Sequence, residues 1–438
     1  MKVIGIRKET KNIWERRTPL IPDDVKELRD RFDIHTIIQP SSIRVYTDDE
    51  YSAVGATVND DLSAADVIFG VKEMPVDFFV PGKTYVFFSH TIKGQPHNMP
   101  MLKRLMELNC QLIDYERITD DHGRRLIFFG RFAGIAGMLD TLWGLGQRLL
   151  HEGIETPFLQ IKRAVDYHDL NEARSALQKV ATQIRDKSLP TPIIPLVIGI
   201  TGYGNVSRGV QEVLSWLPVV EVTPSELPRL CSNPPRWQNF IYKVVFKEED
   251  MVEPLSPNDT FDLYDYYQHP EKYRSKFTQH LPYLTVLINA IYWDSRYPRL
   301  VTKSFLKAWY TRNTPRLKII GDISCDIEGA IECTVRTTTP GDPFFVYDPI
   351  TGDTTPGLEG PGIPILAVDN LPAELPRDAS REFSKMVKPF VPYIVDADYS
   401  KPFDKLNLPP ALKRAVIVHQ GKLTPDYQYL SKYIDKYG

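Results

Sequence analysis

Cysteine is scarce in this sequence, and its four copies stand too far apart to act together. Cys110, Cys231, Cys325 and Cys333 show no CxxC spacing. That excludes a zinc ribbon and a disulfide framework, and reads as reduced, structural thiols in a cytosol-like compartment. Neither sign of charge is in surplus: 53 Lys and Arg against 56 Asp and Glu leave a formal net charge of −3. A near-balance of that kind argues against nucleic acid as the main partner. Long apolar runs are missing too, since the longest, such as YLTVLINAIYW at 283–293, fall far short of a membrane span. The opening MKVIGIRKE has neither a signal-peptide core nor an Arg/Ser-rich transit segment, so a soluble, cytoplasmic protein without membrane contact is expected. Fixed catalytic spellings are absent as well. There is no GxSxG elbow, HExxH helix or Walker loop, and the nine histidines lack metal-ligand spacing, so no metal is expected.

What is present is α/β alternation over 438 residues, a length that suits two or three domains. KVIGI (2–6) reads as a strand, PDDVKELRDRF (22–32) as a helix and IHTIIQ (34–39) as a strand again. ADVIFGVK (65–72) and KTYVFFSH (83–90) follow as strands, then a helix over 98–108 and the strand CQLIDYE (110–116). Strands separated by helices imply a mostly parallel sheet. Residues 133–152 read as a long helix joining two domains. A second α/β unit opens with the strand PLVIGI (195–200) and runs to about Thr338, interrupted by a polar, proline-rich insertion around 228–282.

Two sets of residues carry chemistry. In GITGYGNVSRG, Gly202 and Gly204 fill the first two places of the dinucleotide fingerprint, after a strand and before a helix. Glycine there permits a tight turn and close approach to a pyrophosphate, and the helix start supplies a positive field. Asn205 and Val206 follow, Ser207 takes the third place, and Gly209 comes two residues later. At the end of the next strand in sequence, VVEVT, an NAD-selective protein places an acid. Here the position falls on Thr223, with Glu221 close by, so NADP(H) is expected over NAD. Asp322, in GDISCDIEGAIE, ends a later strand and is expected on the nicotinamide side.

The second set lies in the first unit. Lys72 and His90 end two strands that would emerge at one carboxyl edge, where open α/β sheets bind ligands. Each cation would depress the other, and Glu73 and Glu116 are placed to pull them back, giving a pair suited to proton transfer near neutrality. Arg16 and Arg17, after the first strand, and Lys93, after His90, suit a substrate carboxylate. Spacing alone fits solvated strand ends equally well. The convergence of several cations at one edge selects the site.

These segments also form a known series. KETKNIWERRTPLIP, GVKEMP, FFSHTIKGQ, LIDYERITDDHGRRLIFFGRFAGIAGM, GYGNVSRG, LINAIYWDSRYPRLVT, GDISCDIEGAIE and VDNLPAELP occur in that order across nearly the whole chain. Together they resemble the lysine–2-oxoglutarate reductase part of the bifunctional aminoadipic semialdehyde synthases and, more distantly, fungal saccharopine dehydrogenase and alanine dehydrogenase. The sequence ends before any counterpart of the synthases' second enzyme, so a free-standing reductase is expected. The resemblance implies two Rossmann-like α/β domains with parallel sheets and a cleft between them. The substrate domain would be discontinuous, 1–135 plus 345–438, around a nucleotide domain at 136–344. It implies condensation of lysine with 2-oxoglutarate, at the expense of NADPH, to saccharopine. Lys72 and His90 match the family's acid–base pair, Glu73 and Glu116 its tuning carboxylates, and Arg17 with Lys93 its substrate-side cations. A related amino-acid or opine dehydrogenase, or a non-catalytic nucleotide-binding homologue, is the alternative.

Overall fold

A computed structural model describes residues 2–438. Contacts divide the chain into two units. Unit 1 is the chain up to Phe129 with Pro376–Gly438, and unit 2 is Gly130–Leu375.

Unit 1 holds β1 (Lys2–Ile6), β2 (Ile34–Ile38), β3 (Thr57–Val58), β4 (Val67–Phe69), β5 (Thr84–Phe87) and β6 (Gln111–Asp114). Unit 2 holds β7 (Val197–Thr201), β8 (Val219–Glu221), β9 (Ile241–Phe246), β10 (Val252–Pro254), β11 (Tyr273–Ser275), β12 (Val286–Asn289), β13 (Ile319–Asp322), β14 (Phe344–Tyr347), β15 (Thr354–Pro356) and β16 (Ile363–Leu366). The chain then returns to unit 1 for β17 (Val416–His419) and β18 (Lys422–Leu423).

The unit 1 sheet runs β18-β17-β6-β5-β4-β1-β2-β3. β1 to β6 are parallel, and β17 closes one side antiparallel to β6. Its central strands are buried along their length, as β-rich apolar runs covered on both faces must be. The first helix, Pro22–Phe32, shows why local sequence is legible here. Proline opens it, Asp23 and Asp24 face its positive end, and Asp33 in a left-handed conformation stops it. Register brings the strand ends level: Ile6 pairs with Phe69, Phe69 with Val86, and Val86 with Ile113. The segments after β1, β4, β5 and β6 therefore leave the sheet side by side at one carboxyl edge.

The unit 2 sheet runs β15-β14-β16-β13-β12-β7-β9-β8, with every pairing parallel except those of β14, which is antiparallel to both β16 and β15. β10 and β11 form a separate antiparallel pair. Two expectations are corrected by this topology. The segment 228–282 is no mere insertion, because it contains β9, the strand beside β7. Unit 1 resumes at Pro376 rather than at 345, because β14 and β16 pair with each other and β16 with β13, which keeps the chain in the second sheet.

The helix Gly130–His151 belongs to unit 2 and crosses the fingerprint helix Asn205–Leu214 at very short range. A Cβ on Gly134 would lie 1.9 Å from the Val206 carbonyl oxygen, and one on Gly209 would lie 2.0 Å from that of Arg131. Only glycine allows two backbones to touch in this way. Arg131 clamps the crossing with two 2.7 Å bonds to Glu212.

Candidate active site

Lys72 and His90 each stand three residues beyond a strand, after Phe69 and Phe87. β4 and β5 are parallel neighbours, so both emerge at the same edge. His90 adopts φ +47°, a conformation sparse for residues with a side chain and typical of functional turns. Asn98 donates to its carbonyl at 3.1 Å. Its Nδ1 lies 2.5 Å from Glu73 Oε1, while Lys11 Nζ stands 3.4 Å from the other oxygen. Burial alone would raise the Glu73 carboxyl, but the hydrogen bond and charge of His90, with Lys11, take it down to about 2. Burial takes the Lys72 ammonium down to about 8, helped by the positive charges of Arg17 and Lys11 and opposed by the negative charges of Glu15 and Glu73. A lysine that gives up its proton near pH 8 can exchange protons at physiological pH.

The remaining residues expected at this edge are placed differently. Arg17 is buried, and its guanidinium grips Glu15 with bonds of 2.8 and 2.5 Å while resting 4.2 Å over the Phe129 ring. A substrate carboxylate would have to displace Glu15 to use that fork. Lys93 is exposed on the turn after His90. Glu116 bonds to Arg125 and not to His90 or Lys72. Arg16 donates to the Ile43 carbonyl at 3.2 Å.

Two buried carboxyls escaped the sequence reading. Glu9, 7% exposed, accepts the backbone N–H groups of Val71 at 2.7 Å and Lys72 at 3.1 Å. It therefore holds the segment that carries Lys72. Burial, and the neighbouring Glu15, push it up to about 7. Asp114, at the end of β6, accepts from the Ser89 backbone and hydroxyl, beneath His90, and burial raises it as well. The signal for both was an acid within three residues of a strand's carboxyl end, β1 for Glu9 and β6 for Asp114.

In unit 2, Gly202 turns the chain after β7 at φ +82°, where a side chain would meet Ile291 at 3.0 Å. Around Gly204 a Cβ would meet nothing within 4 Å, so the mouth of the turn is open. Asn205 and Val206 start the following helix, and Ser207 is buried, its hydroxyl accepting from Gln211. Gly202, Tyr203 and Gly204 line a cavity of about 250 Å³ with Glu248, Met251, Tyr266, Tyr267, Tyr292 and Tyr297. An open glycine turn at a helix start beside an aromatic-walled cavity fits a dinucleotide: pyrophosphate on the turn, adenosine in the cavity. Asp322 is not exposed to that space. It is 1% exposed and tied to Asn289 (2.8 Å), Thr334 (2.5 Å) and the Cys325 N–H (3.2 Å), and Asn289 is in turn bonded to Thr201 (2.9 Å). This chain of bonds pins the carboxyl ends of β7, β12 and β13, and burial holds Asp322 up at about 6. Thr223 lies elsewhere, its hydroxyl 2.7 Å from Glu226. Among the described residues, no helix is long and apolar enough to cross a membrane.

Comparison with known proteins agrees with this architecture. Residues 5–136 match the "Alanine dehydrogenase/PNT, N-terminal domain" and residues 267–426 the corresponding C-terminal domain. An Arabidopsis thaliana protein named alpha-aminoadipic semialdehyde synthase is 40% identical over 98% of this chain and 41% of its own length. A mouse protein of that name, described as mitochondrial, is 37% identical over 98% of this chain and 48% of its own. The chain thus spans less than half the length of these relatives. A saccharopine dehydrogenase [NAD(+), L-lysine-forming] of Yarrowia lipolytica is 26% identical over 88% of this chain and 90% of its own. Among solved structures, an L-alanine dehydrogenase superposes with a TM-score of 0.63 at 16% identity, covering both chains fully, which speaks to fold. With both domain models of one family matched in order, the chain belongs to the alanine dehydrogenase/PNT family and is similar, along nearly its whole length, to the aminoadipic semialdehyde synthases.

Proposed function

We propose that this chain condenses L-lysine with 2-oxoglutarate and reduces the product to saccharopine with a reduced pyridine nucleotide. The observation that carries the reading is the edge of unit 1, where Lys72, lowered to about 8, and a Glu73-bound His90 leave adjacent strands. The similarity to the synthases supplies the substrates. Lysine arrives with its ε-ammonium protonated, and a neutral Lys72 or His90 removes that proton so that the amine can attack the ketone carbon. The same pair returns a proton to the carbinolamine oxygen, which leaves as water and gives a protonated imine. Glu73 holds the imidazole in one orientation, and Glu9 holds the Lys72 backbone. Lys93 is available to a substrate carboxylate, and Arg17 acts through its field on Lys72. Gly202, Gly204 and the helix beyond them would hold the dinucleotide, which when bound supplies the hydride that reduces the imine.

The test follows the loss of reduced nicotinamide with 2-oxoglutarate while the amine donor is varied. Turnover confined to lysine is expected. Turnover with ammonia and pyruvate would make the chain an alanine-type dehydrogenase, and binding without turnover by any donor would remove the enzymatic reading.

A further inference from the structure

The strand order of unit 2 moves the ribose-facing position away from where chain order puts it. A dinucleotide lies across the glycine-turn strand, and its adenosine ribose is met at the carboxyl end of the strand beside it. That neighbour is β9, which comes after β8 in sequence yet intervenes between β8 and β7 in space. Thr201 pairs with Phe246, and the Gly202 N–H donates to the Phe246 carbonyl at 2.9 Å. The residues just after Phe246 are thus level with the glycine turn. β8 is two strand spacings, about 10 Å, from β7. It also stops lower: Glu221 pairs with Lys243, which pairs with Ile198, well short of Thr201. Thr223 is out of reach, and Glu226 already occupies its hydroxyl.

Glu248 stands in the vacated role. It is the second residue after β9, it lines the cavity shared with Gly202 and Gly204, and Tyr267 fixes its carboxylate at 2.6 Å. A carboxylate only accepts hydrogen bonds, which matches the two hydroxyls of an unmodified ribose. A 2′-phosphate offers no such donors at neutral pH and brings a charge of about −1.5 to −2. The turn compounds this, because Glu249 and Asp250 come next, and its one cation, Lys247, is exposed with its backbone N–H held by Asp250 at 2.9 Å.

We infer that Glu248 selects the cofactor and that this chain prefers NADH to NADPH. The inference rests on the dinucleotide site of the proposed function and reverses the preference drawn from Thr223. Binding is measured directly, by calorimetry with ADP-ribose and 2′-phospho-ADP-ribose, on the intact chain. ADP-ribose is expected to bind about ten- to hundredfold more tightly, the discrimination a like charge in a half-buried site supplies. Glu248→Ser should shrink that ratio toward one and Glu248→Arg should invert it, with the kcat/KM ratio for NADH and NADPH moving in step. Thr223→Ala should leave it within about twofold. Equal or tighter binding of the phosphorylated ligand by the unaltered chain overturns the inference alone. Binding of neither ligand removes it together with the dinucleotide reading.

Discussion

Replacing Arg17 by methionine separates two ways in which a cation can serve this site. The guanidinium is 2% exposed and Glu15 is fully buried. They are joined by two parallel bonds, of 2.8 and 2.5 Å, and the guanidinium carbon sits 4.2 Å above Phe129. Methionine keeps most of the aliphatic stem, so the packing loss is small. The charge loss is not, because it strands the Glu15 carboxylate in the protein interior, which costs about 3–5 kcal/mol. Removing both charges, in Glu15→Gln with Arg17→Met, should recover most of that, since a buried pair and its neutral replacement differ little. Lys72 reads the same change. Loss of the Arg17 charge raises its ionisation above about 8, and loss of Glu15 as well offsets the rise.

Because the chain has two units, a global melt is a poor gauge, and hydrogen exchange resolved to peptides from residues 4–21 and 67–73 reports unit 1 by itself. Faster exchange there in the single variant, rescue in the double, and an alkaline shift of the kcat/KM profile in the single variant alone are expected. Unchanged exchange, with KM for 2-oxoglutarate raised about a hundredfold at constant kcat, would show uniform substrate binding by the guanidinium and refute the pairing with Glu15.

Three further outcomes are expected from separate parts of the molecule. Lys72 ionises near 8 in the folded chain against 10.5 ordinarily. The unfolded chain therefore binds more protons between these values, and the stability of unit 1, read from exchange of peptides 67–73 corrected for the intrinsic rate, should rise with pH across that window, a rise absent from Lys72→Met. The same variant should lose the limb near pH 8 of the kcat/KM profile. Gly134→Ala puts a methyl 1.9 Å from the Val206 carbonyl oxygen, so the fingerprint helix must shift. Affinity for ADP-ribose should fall about tenfold or more, at an overpacking cost of about 1–3 kcal/mol, while exchange in unit 1 is unchanged. Asp140 and Glu374 are buried together near Arg163 and Asp166. Burial, then the Asp140 charge, hold the Glu374 carboxyl protonated well above its usual range. The folded chain keeps a proton that the unfolded chain sheds, so protection from exchange in unit 2 peptides around 140 and 374, corrected for the intrinsic rate, should decline as pH rises above the ordinary value of 4.5, and Glu374→Gln should flatten that decline.

The parts of this fold that local chemistry dictates were legible, and the parts that strand neighbourhood dictates were not. β1, the helix Pro22–Phe32, β5 and the glycine turn each announce themselves within a dozen residues, through apolar period, caps and φ preference. Lys72 and His90 followed from them, because neighbouring parallel strands share an edge. β9 did not: its alternating, half-exposed IYKVVF lies among prolines, and nothing within 241–246 states that it slides between β8 and β7. That placement arises from backbone pairing with β8, about twenty residues away, and with β7, about forty-five residues away. The misplacement of the ribose contact on Thr223 is a direct consequence, since the residue was sought at the second strand in sequence rather than in space. Arg17 failed for the opposite reason. Glu15 lies only two residues away in the sequence, and its carboxylate meets the guanidinium at 2.8 and 2.5 Å. Yet whether a guanidinium two residues from a carboxylate meets it or a ligand depends on burial, and burial at this edge is set by Phe129 and the returning C-terminal segment, whose Ser380 bonds to Thr18. A residue type at a strand end therefore predicts chemistry only as far as its spatial neighbours leave it available.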